Sequence, residues 1–266
     1  MTAPVFICDD GFAEDVVRPG ARYVLGGPEG KHAGVVQRRS VGERIDVVDG
    51  SGLRLECVVS AGYADGVLPL TVHAVVREAA AHPRLVLVQA LAKGTRDDQA
   101  IEAAVECGVD GIIPWQADRS IVQWRGERGL KAHRGWESVV RAATKQSRRA
   151  WLPGVESVVT SKVLARRIAG SDSMAGGAIA DAGAATSPRG AIVLHEEAEV
   201  PLSDAVLPDH GDVLVIVGPE GGISDAELAA FSAAGAQAVR LGPHVMRTST
   251  AGPVAIAMLA QRLGRW

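Results

Sequence analysis

Residues 213–247 read VLVIVGPEGGISDAELAAFSAAGAQAVRLGPHVMR. Val213 to Val217 is an unbroken apolar run, the pattern of a strand buried on both faces of a parallel sheet. Gly218-Pro219-Glu220-Gly221-Gly222 breaks it. Ser224-Asp225-Ala226-Glu227 has the spacing of a capping box, with Ser224 as N-cap, so a helix begins there. Leu228, Phe231 and Ala234 continue one helical face, and Gly235 is placed to end it. Ala238 to Leu241 reads as a second strand, followed by Gly242-Pro243-His244. Two glycine-bearing loops therefore follow neighbouring parallel strands, on the sheet edge where open α/β folds bind ligands. Such loops present bare backbone to a ligand, with Glu220 as the ionisable side chain at hand. They are neither a P-loop, lacking Lys-Ser/Thr after the glycines, nor a GxGxxG dinucleotide turn.

Working outward, Leu85 to Leu91 reads as a buried strand, 97–108 as a helix with Ile101, Ala104 and Val105 on one face, and Gly111 to Pro114 as the next strand. Ala191 to Leu194 is a further buried strand, ending at His195-Glu196-Glu197, which has no second histidine at zinc-site spacing. Strands and helices alternate from Pro83 onward, the mark of a parallel α/β sheet. Residues 1 to about 75 differ. Short apolar runs separated by glycine turns predict a small all-β barrel. The division expected is therefore 1–75 and 76–266, with the small-residue stretch 170–190 as a flexible insertion. Thr250-Ala251-Gly252-Pro253 opens a last, apolar helix with the proline in its first turn. Its apolarity suggests burial, within the subunit or in a dimer interface.

Charge narrows the partners. The chain has 266 residues and a formal net charge of −3, so it is no polycation, and any nucleic-acid contact needs a local patch. Residues 119–151 supply one: Arg119, Arg125, Arg128, Lys131, Arg134, Arg141, Lys145, Arg148 and Arg149, opposed by Glu127 and Glu137. The tryptophans in and beside it read as core, since Trp136, Val139, Val140 and Ala143 share a helical face. In the first 75 residues, Arg18, Arg22, Lys31, Arg38 and Arg39 form either a phosphate-facing edge or ordinary solvated surface. The three cysteines match no metal or redox spacing, and the expectation is reduced, mostly buried thiols, a cytoplasmic setting, no metal and no membrane span.

The sequel LGPHVMRTSTAGPVAIAML, with the GPEGG loop, resembles the knotted SPOUT class of S-adenosylmethionine-dependent RNA methyltransferases. Within it the chain is most similar to the RsmE family, which methylates N3 of a uridine in 16S ribosomal RNA. Lys93…Arg96…Glu106-Cys107-Gly108…Pro114 and Arg134-Gly135-Trp136…Gln146-Ser147-Arg148-Arg149…Pro153 match it as well. His32…Arg38…Gly42-Glu43…Asp49-Gly50 resembles its N-terminal PUA-like barrel. The resemblance implies a trefoil-knotted parallel-sheet domain behind an RNA-holding barrel, and a homodimer acting on 16S rRNA in the small ribosomal subunit. It implies S-adenosyl-L-methionine held by Leu194-His195, by Gly218-Pro219-Glu220-Gly221-Gly222, and by Leu241-Gly242 with Val245-Met246. RNA contacts are expected from Arg18, Arg22, His32, Arg38, Lys145, Gln146, Arg148 and Arg149.

Uridine N3 carries a proton at neutral pH, so either a base removes it or a cation stabilises the imide. Arg247 suits the second role, and Glu220 and His244 are candidate bases. His244 and Ser249 stand where the family has an arginine and an acidic residue. A knot methyltransferase with another target, a non-catalytic RNA-binding assembly factor and a nucleotide-binding regulator are the competing readings.

Overall fold

The structure is a computed structural model that describes residues 3–170 and 189–266. The flexible insertion expected at 170–190 lies outside the described residues except at its edges, Gly170 and Arg189-Gly190. The chain divides into two compact units, Met1–Ala80 with Thr144–Leu152, and Ala81–Ala143 with Pro153–Trp266. The break falls five residues beyond the expected one, and 144–152, expected with the second domain, groups with the first.

The first unit is a five-stranded sheet built from β1 (Val5–Ile7), β2 (Arg22–Leu25), β3 (Arg44–Val48), β4 (Leu53–Val59) and β5 (Leu68–Arg77). Its order is β1-β3-β4-β5-β2, antiparallel except for the β1–β3 pair. Along β4 every second residue is buried, the alternation of a sheet with one covered face. Phe6, Leu25, Ile45, Leu55, Leu68 and Leu70 share one core, so strands from both edges close on it. A short helix, α1 (Gly27–Lys31), runs into a π-helical turn at His32–Val36.

Residues 144–152 join this unit through specific bonds. Trp151 Nε1 donates to the Glu78 carbonyl at 3.0 Å, and Arg54 Nη2 donates to the Arg148 carbonyl at 2.9 Å. Arg54 also pairs with Asp46 at 3.1 Å and Glu78 at 2.7 Å. Arg54 and Arg148 lie 94 positions apart in sequence, on opposite sides of the division expected at 75/76, which is why a linear reading placed them in different domains.

The second unit contains β6 (Arg84–Ala90), α2 (Arg96–Glu106), β7 (Gly111–Gln116), most of α3 (Gly126–Gln146), β8 (Gly154–Val155), β9 (Val159–Thr160), α4 (Ser161–Ile168), β10 (Arg189–Leu194), β11 (Asp212–Val217), α5 (Asp225–Ala233), β12 (Gln237–Val239) and α6 (Thr248–Arg262). The sheet order is β12-β10-β11-β6-β7-β8, with every pairing parallel. β6 and β11 lie mid-sheet and are buried beyond their first residue, as their unbroken apolar runs require. Because all strands run the same way, the loops after β6, β7, β10, β11 and β12 share one edge.

The capping box is present: Ser224 Oγ accepts from the Glu227 N–H, and Glu227 returns a bond to the Ser224 N–H. Trp115 and Trp136 are buried, Trp136 from the same helical face as Val140 and Ala143. Of the three cysteines, Cys57 is buried and Cys8 and Cys107 are half-buried.

The last helix departs from expectation in one respect. It starts at Thr248, two residues early, so Pro253 sits inside it rather than in its first turn. The ring removes the backbone bond to the Ser249 carbonyl. Pro253 is buried with Gly252, Ile256 and Leu259, and α6 packs on α2, β6 and β11. Burial within its own unit accounts for the helix's apolar character. Arg265 beyond it donates to Asp110 at 2.8 Å and to the carbonyls of Gly108 and Pro83.

Candidate active site

At the C-terminal edge of the parallel sheet lies a cavity of about 660 Å³, within the range that small-molecule sites occupy. Its wall is built from the end of β10 and the residues after it (Leu194, His195, Glu196, Glu197), the loop after β11 (Gly218 to Ile223), and the segment leading into α6 (Val245 to Thr248). A smaller recess of about 100 Å³ shares Leu194, His195, Val245 and Met246, and adds Leu241, Gly242 and His244. Every residue expected at the cofactor site thus lines one of two adjoining hollows. Their lining is mixed. Leu194, Val217, Met246 and Ala251 offer apolar surface, while Glu196, Glu197 and Asp225 offer negative charge.

The glycines in the loop after β11 are needed where they stand. A Cβ on Gly218 would lie 2.7 Å from Ile223 Cγ1, and Gly222 has φ +74°, a left-handed value that a side chain disfavours. The Gly218 carbonyl accepts from Thr248 Oγ1 at 2.8 Å, and Thr248 in turn accepts from the buried Gln89 Nε2 at 2.9 Å. This relay ties the loop after β11 to the start of α6. Gln89, a polar residue inside the run Leu85–Leu91, was the available signal, and its Oε1 is buried with no partner among the described residues.

The three catalytic candidates have different surroundings. Arg247 is exposed, lines the larger cavity, and makes no side-chain cap bond at its N-cap position. His244 lines the smaller recess alone. Glu220 is engaged: its Oε1 accepts from Arg96 Nη1 at 2.7 Å and from the Lys93 N–H at 3.3 Å. Burial raises its carboxyl, but its own backbone N–H, Arg96 and the Lys93 N–H outweigh this and hold the group below the ordinary carboxylate value. A carboxylate so stabilised is a poor proton acceptor, which removes the main argument for Glu220 as base. Glu220→Gln is expected to keep the single-turnover rate within about tenfold, because removing a true general base costs roughly 10²–10⁴.

Beside Arg96, Asp97 is buried and its pKa is pushed up to about 6, first by burial and then by the Asp98 charge, against N–H groups that favour the ionised form. The folded chain therefore holds this proton more tightly than the unfolded chain, whose ordinary value is 3.8. The associated stability is complete below that value and is lost as pH rises through about 6. Asp97→Asn is accordingly expected to raise the melting temperature by about 3–6 °C at pH 8 and by little at pH 4, as measured by calorimetry.

Sequence reading missed a structural hub. Glu227 is 3% exposed, and its carboxylate accepts from the Ser224 N–H at 3.0 Å, the Asp118 N–H at 2.8 Å and Ser161 Oγ at 2.6 Å. Trp115 Nε1 donates to the same serine at 3.1 Å. The group thus holds together α5, the start of α4 and the loop after β7. That loop carries Arg119, which also lines the larger cavity. In the sequence Arg119 stands out as the first cation of the basic stretch 119–151 and Arg96 through the family resemblance, while their positions after parallel strands are what bring them to this cavity.

The RNA-binding candidates all fall in the first unit. Arg18, Arg22, Arg38, Gln146 and Arg148 are exposed, with Arg38 and Arg148 at left-handed φ values of 52° and 59°. His32 is half-buried, sharing a hydrogen bond with Gln37 at 3.0 Å and lying edge-on to Phe6. Arg149 is half-buried. Lys145 is a correction. Its ammonium lies 2.7 Å from the Glu29 carboxylate and 5.3 Å from the Phe6 ring centre, so its charge is engaged inside the unit and does not face solvent as a free phosphate ligand. In the second unit, Arg119, Arg125, Arg128, Lys131 and Arg134 are exposed, whereas Trp136 points inward.

Among the described residues no group of three or more His, Cys, Asp or Glu could hold a metal ion, and no helix is long and apolar enough to cross a membrane.

Comparison with known proteins adds an independent line. A sequence profile described as the RNA methyltransferase domain matches residues 80–260. Ribosomal RNA small subunit methyltransferase E of Mycobacterium bovis is 40% identical over 249 residues, covering 93% of this chain and 89% of that protein. The Bacillus subtilis protein of the same name is 24% identical over 245 residues, covering 90% and 89%. Among solved structures, ribosomal RNA small subunit methyltransferase E from Neisseria gonorrhoeae, bound to S-adenosyl methionine, superposes with a TM-score of 0.80 at 24% identity, covering 98% of each chain. That structure shares the fold. By the profile match and the mycobacterial relative together, the chain belongs to the ribosomal RNA small subunit methyltransferase E family of RNA methyltransferases.

Proposed function

We propose that the protein transfers the methyl group of S-adenosylmethionine to N3 of a uridine in 16S ribosomal RNA of the small subunit. The observation that carries the reading is the cavity after β10 and β11, with a glycine-built loop on one wall and the exposed guanidinium of Arg247, which makes no cap bond to α6, on another. Its residues suit the donor. Leu194, Val217, Met246 and Ala251 fit an adenine ring, the glycine loop leaves room for ribose and methionine, and Glu196, Glu197 and Asp225 suit a cationic sulfonium and ammonium.

When bound, the donor supplies an electrophilic methyl on sulfur. The chain's own task is largely positioning, which makes a bimolecular displacement effectively unimolecular. The cavity wall holds the acceptor ring in line with the bond from sulfur to the methyl carbon. The Arg247 guanidinium faces the uracil oxygens and stabilises the imide anion left when solvent takes the N3 proton, and that anion then displaces the methyl from sulfur. The target base must be unpaired or drawn from its stack, because pairing occupies N3. The first unit, through Arg22, Arg38 and Arg148, is proposed to hold the RNA backbone. A homodimer, the trefoil knot and a cytoplasmic site of action belong to the same reading.

The test is to incubate the protein with labelled S-adenosylmethionine and undermethylated small subunits, then map the label. Label on N3 of a single uridine is expected. Label on a ribose hydroxyl or another base, or none at all, overturns the reading.

A further inference from the structure

Three guanidiniums line the larger cavity: Arg96, Arg119 and Arg247. They differ in what neutralises them. Arg96 is paired with Glu220 at 2.7 Å. Arg119 is held by carbonyl dipoles: its Nη1 donates to the Gly221 oxygen at 3.2 Å and the Ile223 oxygen at 3.5 Å. Among the described residues no carboxylate pairs with it, so it keeps its full charge at an exposed position.

Its placement is fixed from both sides. The Ser120 N–H bonds the Ala117 carbonyl at 3.0 Å, and the neighbouring Asp118 N–H bonds the buried Glu227 carboxylate at 2.8 Å. The side-chain stem lies flat on the loop after β11, where a Cβ on Gly221 would come within 3.2 Å of Arg119 Cβ. With Nη1 committed to the two carbonyls, the side-on fork of Nε and Nη2 remains. That fork matches two oxygens of one phosphate group. The chain then continues into the exposed cations Arg125, Arg128, Lys131 and Arg134, a composition suited to RNA backbone and not to a zwitterionic amino acid.

We propose that Arg119 grips a backbone phosphate of the RNA at the mouth of the donor cavity and so sets which nucleotide enters it. The inference rests on the methyl-transfer reading above and assigns the residue that fixes RNA register at this cavity.

The test compares the full-length protein with Arg119→Ala and Arg119→Lys. Donor affinity is measured by calorimetry, KM and single-turnover rate on undermethylated small subunits, and RNA affinity across a salt series. For Arg119→Ala, donor affinity is expected to fall by less than tenfold, through the lost bonds to the Gly221 and Ile223 carbonyls, while KM for the subunit rises at least tenfold and the log–log salt slope becomes shallower by about 0.7–0.9. Arg119→Lys is expected to restore the slope without restoring KM, since an ammonium keeps the charge and loses the fork. Unchanged KM and slope in Arg119→Ala overturn the proposal. So does a tenfold loss of donor affinity, which assigns the guanidinium to the donor's carboxylate or to loop support. If the alanine variant does not fold, the split between slope and KM in the lysine variant decides alone. If the parent protein methylates no RNA, the functional reading fails, while the salt slope still reads whether Arg119 meets phosphate.

Discussion

Replacing Arg247 by alanine is expected to lower single-turnover methyl transfer by about 10²–10³-fold, the usual effect of deleting one preorganised donor to a developing anion. Donor affinity should stay within a few fold of the parent. The structure makes this a clean experiment. Arg247 is the N-cap of α6, but it caps with its backbone carbonyl, which accepts from the Thr250 and Ala251 N–H groups at 2.9 Å. Its side chain makes no cap bond, so truncation leaves the helix start intact. Arg247→Lys should recover part of the rate, because an ammonium keeps the charge but loses the planar fork. Turnover unchanged in the alanine variant, with donor bound, would remove Arg247 from the chemistry.

The second large effect concerns stability. Glu227→Ala is expected to cost about 3–5 kcal/mol, because the Ser224 and Asp118 N–H groups and the Ser161 hydroxyl lose their acceptor in a buried setting. For a chain of this size that is a fall in melting temperature of roughly 6–15 °C. Glu227→Gln should be nearly as harmful, since an amide NH₂ would face N–H and O–H groups that are already donors. The same variants should weaken donor binding, as the loop after β7 and the entry to α5 both lose their tie. Calorimetry of the full chain checks the first part and a donor titration the second. A melting temperature within 2 °C of the parent, roughly 1 kcal/mol or less, would mean that these bonds carry little of the stability.

What the sequence revealed was local. Val213–Val217 and Leu85–Leu91 declared buried parallel strands by their unbroken apolar runs, and Ser224 and Glu227 declared a helix start by three-residue spacing. The edge on which ligand loops gather followed from strand direction alone. What stayed hidden was long-range pairing. Glu227 looked like half of a capping box, yet its decisive partners, Asp118 and Ser161, stand 109 and 66 residues away. Glu220 looked like a free acid until Arg96 met it from 124 residues off, and Lys145 like a free cation until Glu29 met it from 116. In each case the charge pattern announced an ionisable group but could not say what neutralised it. Pro253 misled differently. Tertiary burial of α6 against α2, β6 and β11 outweighs one missing backbone bond, so the helix begins a half-turn earlier than propensity suggests.

The embrace of α2 and β6 by α6, with Arg265 reaching Asp110 and the Pro83 carbonyl, carries a consequence for biosynthesis. The strands that begin the second unit cannot complete their core until residues up to 265 have left the ribosome exit tunnel. Such contacts between distant segments slow the search for the native state. The core of this unit should therefore close late, its half-made sheet a natural client for a chaperone until α6 docks, while β1–β5 pair earlier during synthesis.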